Sequence, residues 1–348
     1  MPTFTAGNPQ TFNFRDLHPQ VFIGTASDRY AGWIGQIYSK DRYTGRITKR
    51  TKIIAGRSFV EEVLPVESVE EYFEHFSVLE IDFTFYRPLI DQDGKPTQNY
   101  QVLENYRRHL KEGDRLILKV QQIITAQKIH RGEQYLENEA YLNPKIFTEQ
   151  FYKPAVNLLG SNLTGFIFEQ EYQRKEDRIP VNKMAQDLDR FFQAIPKDTR
   201  YHLELRTDLY LRDQVFEILE KYGVGQILSH WTWLPPLRKQ LAKASGRFFN
   251  AGNECVIRLM TPLDMKYEDA YLRAHPFDKM VDGMLQPEMV LDTVEIVRRA
   301  IEKGVLVNLI VNNRAGGNAP FIAQIITEKF VTKKTLTAPE QMRLWDLQ

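Results

Sequence analysis

EYFEHFSVLEIDFTFYRP, residues 71–88, starts with the spacing of a helix and continues as a strand. Successive strand side chains point to opposite faces, so Leu79, Ile81 and Phe83 share one side while Glu80 and Asp82 share the other. The same helix-then-strand grammar extends in both directions. Runs rich in β-branched and aromatic residues recur as VFIGTA from Val21, VLEIDF from Val78, RLILKV from Arg115 and LTGFIF from Leu163. They continue as YHLELR from Tyr201, VGQILS from Val224, ECVIRLM from Glu254 and VLVNLIV from Val305. Between most of them lies a helix candidate. The clearest is PEMVLDTVEIVRRAIEKG, with Pro287 suited to a first turn, a stripe of Val290, Val294, Val297 and Ile301, and Gly304 at its end. Strands alternating with helices imply a parallel sheet. Eight such units point to a closed TIM-type (β/α)₈ barrel rather than an open doubly wound sheet, since a barrel needs only about 250 residues.

The chain has 348 residues, 43% of them hydrophobic, which is ample for one large core, and the surplus over a bare barrel sits in long loops after strands. These are SDRYAGWIGQIYSKDRYTGRITKRTK after the first strand, QQIITAQKIHRGEQYLENEAYLN after the third and TPLDMKYEDAYLRAHPFDKMVDGM after the seventh. All three should gather over the carboxyl ends of the strands, where enzymes of this architecture carry their sites. The expected organisation is an N-terminal extension over residues 1–20, a single barrel domain over 21–330, and a tail over 331–348 in which Leu344 and Trp345 suggest docking.

Lys plus Arg number 46 against 45 Asp plus Glu, so no strong overall field draws the molecule to nucleic acid or an acidic membrane. The one cysteine, Cys255, rules out an internal disulfide and a cysteine-rich zinc site. With no apolar run of spanning length and no secretory h-region in the first twenty residues, a cytoplasmic protein that does not embed in membranes is expected.

In a barrel the apolar set on each strand meets the helices and the polar set enters the lumen. Parity sends Glu80, Asp82, Glu204, Arg206, Arg258, Asn308 and Asn312 inward, and puts Lys119 and Gln121 on one face of the third strand. The charges balance: Glu80, Asp82 and Glu204 against Lys119, Arg206 and Arg258. Burial demands such balance, and it has two readings, a structural ion-pair lining or a site for proton transfer and anion binding. On the second reading the catalytic candidates are Glu80, Glu204, Asp82 and Lys119, with Arg206 and Arg258 clamping charge.

Taken in order, GTASDRYAGWIGQIY, YFEHFSVLEIDFTFYR, LILKVQQIIT, HLELR, CVIRL and LIVNNRAGGNAPFIAQII resemble a family called domain of unknown function 72, or YecE-like. The resemblance runs from about Val21 to Phe330. It implies a TIM-type barrel, and it marks Thr25, Tyr30, Trp33, Tyr86, Arg87, Asn312 and Asn313 as family positions for a substrate pocket; it supplies no reaction. The family's usual Gly-Trp after Thr-Ser is replaced here by Ala26-Ser27-Asp28, and the His and Trp that follow Glu-x-Arg are Thr207 and Tyr210, so the chain is a divergent member.

NNRAGGNAP, residues 312–320, precedes the last helix. Free backbone N–H groups of Gly316, Gly317 and Asn318 could cradle a phosphate there, or the segment is a tight turn with Asn318 as helix cap. Among the seven histidines only His230 ends a strand suitably for a metal, so no metal site is assigned; without a P-loop or dinucleotide fingerprint, the cofactor stays unknown. The basic run KDRYTGRITKRTK could follow a nucleic-acid backbone or be a solvated loop. The reading is a barrel enzyme for a small polar or anionic metabolite, phosphorylated ones included: a hydrolase, lyase or isomerase working by acid/base chemistry. A nucleic-acid-binding or phosphodiester-processing barrel and a non-catalytic metabolite-binding protein are the alternatives; oligomeric state is not legible.

Overall fold

The computed structural model describes residues 12–54, 56–131 and 134–332. Eight parallel strands close into a barrel: β1 (Val21–Ala26), β2 (Val78–Ile81), β3 (Arg115–Lys119), β4 (Leu163–Glu169), β5 (Tyr201–Glu204), β6 (Gly225–His230), β7 (Glu254–Leu259) and β8 (Leu306–Val311). Each neighbours the next in chain order, and β8 pairs with β1 through Val21↔Val307 to Thr25↔Val311. Every run read as a strand from sequence is one of these eight. The helix expected from Pro287 spans Pro287–Glu302, with Pro at its start and Val290, Val294 and Val297 buried. Leu344, Trp345 and the first eleven residues lie outside the described residues, and the last helix, Ala319–Thr332, carries the barrel two residues past the expected boundary.

The lumen fills in layers. In the middle sit Val78, Ile117, Ile167, Ile227, Val256 and Ile310, an apolar plug contributed by six strands. Gly24 of β1 lies at this level because the backbones crowd: a Cβ there would stand 1.6 Å from the Val78 carbonyl oxygen. Gly24→Ala should therefore cost about 1–3 kcal/mol or more of stability, readable as a shifted denaturation midpoint, and an unchanged midpoint would mean the β1–β2 contact is looser than described. Toward the amino end, Arg115 donates to both Glu254 oxygens at 3.0 Å, and Asn308 donates to Glu254 at 2.7 Å. Residues 12–20 lie across that end: the Phe14 amide donates to the His75 carbonyl at 2.8 Å and Arg15 reaches the Phe76 carbonyl and Asp114.

The three long insertions do follow β1, β3 and β7. The first contains an antiparallel hairpin, Thr48–Ile54 with Arg57–Val63, and the second a smaller one, Lys128–Arg131 with Gln134–Glu137. The third carries the helix Tyr267–Ala274. No described helix is long and apolar enough to cross a membrane.

Candidate functional site at the carboxyl end of the barrel

Above the apolar plug the lumen turns ionic, and Arg258 of β7 is its centre. Nε and Nη2 donate to the two oxygens of Glu80 on β2 at 2.8 and 2.7 Å, while Nη1 donates to Glu169 on β4 at 3.1 Å and to Glu204 on β5. Lys119 on β3 pairs with Glu169 at 2.7 Å; Arg206, just past β5, pairs with Glu169 at 2.5 Å and Glu204 at 3.1 Å. Three carboxylates thus face three cations, and none of the six is isolated. Glu80, Glu204 and Arg258 are at most 1% exposed. Burial disfavours the Arg258 charge, but Glu204, Glu80 and Glu169 outweigh it and drive its pKa well up. Burial likewise opposes ionisation of Glu169, yet Arg206, Lys119 and Arg258 hold that carboxyl well below the usual range. At Glu80 burial wins over Arg258 and Lys119 and the shift is upward. As pH falls, Glu80 therefore takes a proton before Glu169 does.

Over this floor opens a pocket of about 210 Å³, reached by Lys119, Glu169, Arg206, Asp82, Tyr86 and Arg314 among others. Asp82 has left the strand: it begins the short helical turn Phe83–Phe85 in an αR conformation, and its side chain caps nothing. The expected lumenal pair of Glu80 and Asp82 is thus split. Glu80 belongs to the floor and Asp82 to the mouth. Glu169 supplies the third floor carboxylate instead. A second cavity, of about 620 Å³, lies between the barrel mouth and the hairpin of residues 48–63, and shares Asp82, Tyr86, Tyr267 and Arg314 with the first.

A family model for a protein of unknown function, DUF72, matches residues 22–343. The chain belongs to the DUF72 family. A DUF72 protein from Thermotoga maritima has a similar structure, with a TM-score of 0.56 and 14% identity over 90% of this chain and 100% of that one. Another, from Enterococcus faecalis, scores 0.54 with 16% identity over 91% and 97%. At such identity the likeness is one of fold. No curated protein matches the chain.

The DUF72 block TFYR has a local explanation. The Thr84 hydroxyl donates to the Lys119 carbonyl at 2.7 Å, tying the β2 turn to β3, and Lys119 Nζ stands 4.0 Å from the Phe85 ring centroid. Tyr86 then projects, 70% exposed, into both cavities, and Arg87 lines the larger one beside Tyr30. Asn312 lines the smaller pocket, its Oδ1 accepting from the Arg314 amide at 3.0 Å.

Other candidates sit elsewhere. Glu204 is part of the floor and does not reach either cavity. Thr25 faces the helical layer, its hydroxyl on the Ser27 carbonyl at 2.7 Å and near Tyr72. Trp33 is fully buried and donates to Asn313 Oδ1 at 3.1 Å, so this family pair is an internal brace. Asn308 is inward but at the amino end, with Glu254. The glycine turn is filled: Gly316 and Gly317 amides both donate to the Asn313 carbonyl, and residues 279–281 cover the turn. Asn318 caps the last helix, accepting from the Phe321 amide at 3.0 Å. The Gly316 and Gly317 amides expected to face an anion are thus already engaged within the turn.

His230 faces away from the lumen with Nδ1 on the Thr261 carbonyl, and burial lowers its pKa to about 4. No group of metal-ligating side chains occurs among the described residues. Cys255 is buried against the helices, its thiol pushed up to about 12 by desolvation. The basic run is answered within its own hairpin and neighbouring helix: Arg50 and Lys52 pair with Glu61, Lys49 with Glu62, Arg46 with Glu67 and Arg42 with Glu70 and Glu71, and Tyr43 is fully buried. Such pairing leaves little excess charge for a phosphate backbone.

Three residues escape the sequence reading. Glu169 is one. Arg314 is another: 9% exposed, its guanidinium lies 4.2 Å from the Tyr267 ring centroid, makes no ion pair among the described residues, and has a partnerless Nε. Glu171 is the third: it lines the smaller pocket, burial raises its carboxyl, one oxygen accepts from Gln122 at 2.9 Å and the other is buried without a partner.

Proposed function

We propose that this DUF72 protein is an enzyme for a small anionic metabolite, working by acid/base chemistry above a fixed ionic floor. The observation that carries this reading is Arg314, a buried cation that makes no ion pair among the described residues, with Asp82 acting on it from a distance, opening where the two cavities meet. An unpaired buried charge costs several kcal/mol, so a guanidinium in that state is suited to a ligand oxyanion, which it can grip with paired donors. Tyr30, Tyr86 and Tyr267 are near enough to act on it, as is Asp82, and their hydroxyls can add donors.

Proton transfer belongs to carboxyls that the floor has not tied up. Asp82 caps nothing and pairs with no cation among the described residues, so it can accept a proton from a bound ligand. Glu171, raised by burial, can supply one. Glu80, Glu169 and Glu204, locked to Arg258, are positioning groups that fix the local field. Of the catalytic candidates in the sequence, Asp82 keeps a proton-transfer role on this reading, and Glu171 takes the place of Glu80 and Glu204. A pair of this kind serves hydrolysis, elimination or isomerisation.

A thermal-shift screen of small phosphorylated and carboxylated metabolites tests the reading, with the best stabiliser then used as substrate. Asp82→Asn should retain the shift and lose about 10²–10⁴-fold in turnover. Glu171 must be protonated to act, and its folded pKa is raised, so wild-type turnover should decline as pH rises through that value; Glu171→Gln should be slower and lack that decline. If no anion stabilises the protein at millimolar concentration, the reading is wrong.

A further inference from the structure

Resting on the anion reading above, we propose that the ligand is a two-part molecule, with an oxyanion at Arg314 and a neutral planar ring in the larger chamber. The shared wall of Asp82, Tyr86, Tyr267 and Arg314 makes the two cavities continuous around the guanidinium. A molecule anchored there extends naturally into both. The smaller space holds the reacting end beside Asp82 and Glu171. The larger, at about 620 Å³, has the size of sites that enclose an organic ligand of several rings.

What the chamber offers its guest follows from which groups are already engaged. Arg50 and Lys52 pair with Glu61 at 2.8 and 3.4 Å, the Tyr271 hydroxyl donates to Glu61 at 2.6 Å, and the Tyr106 hydroxyl donates to Asp28 at 2.8 Å. A second charged group would find these partners taken, and Arg87, which makes no ion pair among the described residues, stands exposed to solvent, where its charge is screened. What stays available is ring surface, chiefly the exposed Tyr86 and the uncovered parts of Tyr30, Phe83 and Tyr267, whose rings also pack on Trp33, Tyr106 and the Arg314 guanidinium respectively. Aromatic faces of this kind favour a flat, polarisable guest. One acceptor is placed at the edge: Asn99 spends its amide nitrogen on the Phe83 and Arg87 carbonyls at 3.0 and 3.1 Å, leaving its carbonyl oxygen for a ring N–H or hydroxyl. The chemical class is a phosphate or carboxylate joined to an uncharged ring, of about nucleoside monophosphate size.

Calorimetric binding of the full chain to four probes separates the parts: inorganic phosphate, ribose 5-phosphate, adenosine 5′-monophosphate and 4-hydroxyphenylacetate. The expected result is that the ring-bearing phosphate binds about tenfold tighter than ribose 5-phosphate, the scale of one stacking contact. The aryl carboxylate arm tells whether the oxyanion is a carboxylate, since a tighter Kd there than for the nucleotide would assign it so. Val102→Trp and Thr51→Trp each intrude on the chamber alone, from the helix Gln98–His109 and from the hairpin. Either should erase the gain from the ring and leave ribose 5-phosphate unchanged. Equal affinity for all phosphates, with binding still lost in Arg314→Met, would overturn the two-part ligand and keep the anion site. Absence of binding by every probe would overturn both, and a ring gain that survives both tryptophans would place the ring outside the chamber and overturn the proposal.

Discussion

Arg258→Met should destabilise the protein by about 3–5 kcal/mol, the scale for removing one partner from a buried ionic group. With an unfolding entropy of about 2.1 cal/mol/K per residue, that is a Tm lower by roughly 4–7 °C for a chain of 348 residues. The size of the effect comes from geometry: one guanidinium answers Glu80, Glu169 and Glu204, and two of these are wholly buried. A pH signature distinguishes this from a simple packing loss. In the wild type the Glu169 carboxyl sits well below its ordinary value, so its contribution is complete at neutral pH and is lost only as pH falls through that low folded value. Without Arg258 the burial already felt by Glu80 and Glu169 meets less opposition. Their folded pKa values then move upward, and protonation favours the folded state as pH falls. The deficit should be smaller at pH 5 than at pH 8 in parallel denaturation curves. An equal deficit at both would show that the floor carboxylates do not feel Arg258 electrostatically.

Arg314→Met should do the opposite: stability retained or slightly improved, binding lost. Arg314 makes no ion pair among the described residues, so methionine removes the desolvation cost of its charge at the loss of only the longer-range attraction of Asp82, while preserving much of the side-chain volume. The charge-assisted hydrogen bonds it can give an oxyanion are worth about 1.5–3 kcal/mol, so the Kd for the stabilising anion should rise about 10–150-fold. Calorimetric titration beside a denaturation curve reads both quantities. A variant that loses stability as Arg258→Met does, with its Kd unchanged, would make Arg314 a structural residue and leave the pocket without its anion anchor.

The barrel was legible because all eight strands are buried on both sides and so appear as dense apolar runs. The hairpins were not: TKRTKII and RSFVEEV are largely exposed, and nothing in their composition separates such strands from a polar loop. Parity along each strand correctly gave the face of Glu80, Arg258, Asn308 and Asn312. It could not give height, and Asn308 and Asn312 are roughly 13 Å apart along one strand, at about 3.3 Å per residue. Asp82 and Glu169 show the complementary problem of where strands stop. β2 ends at Ile81 and sheds Asp82, while β4 runs on to Glu169, two residues beyond the inward Ile167. Extending the same parity by one residue would have found Glu169. Arg314 gave no such cue, because it occupies a turn whose glycines drew the reading toward the backbone. Its importance lies in the missing partner, which only three-dimensional neighbours reveal.

The amino end of the barrel is closed off from the pocket by six aliphatic side chains, which lie between the Arg115–Glu254–Asn308 cluster and the ionic floor. Traffic is therefore one-way-in, same-way-out: whatever enters by the tyrosine-lined doorway must depart through it. On the enzymatic reading proposed above, departing molecules and newcomers queue for a single threshold, so inhibition by the released molecule should be competitive with respect to its precursor.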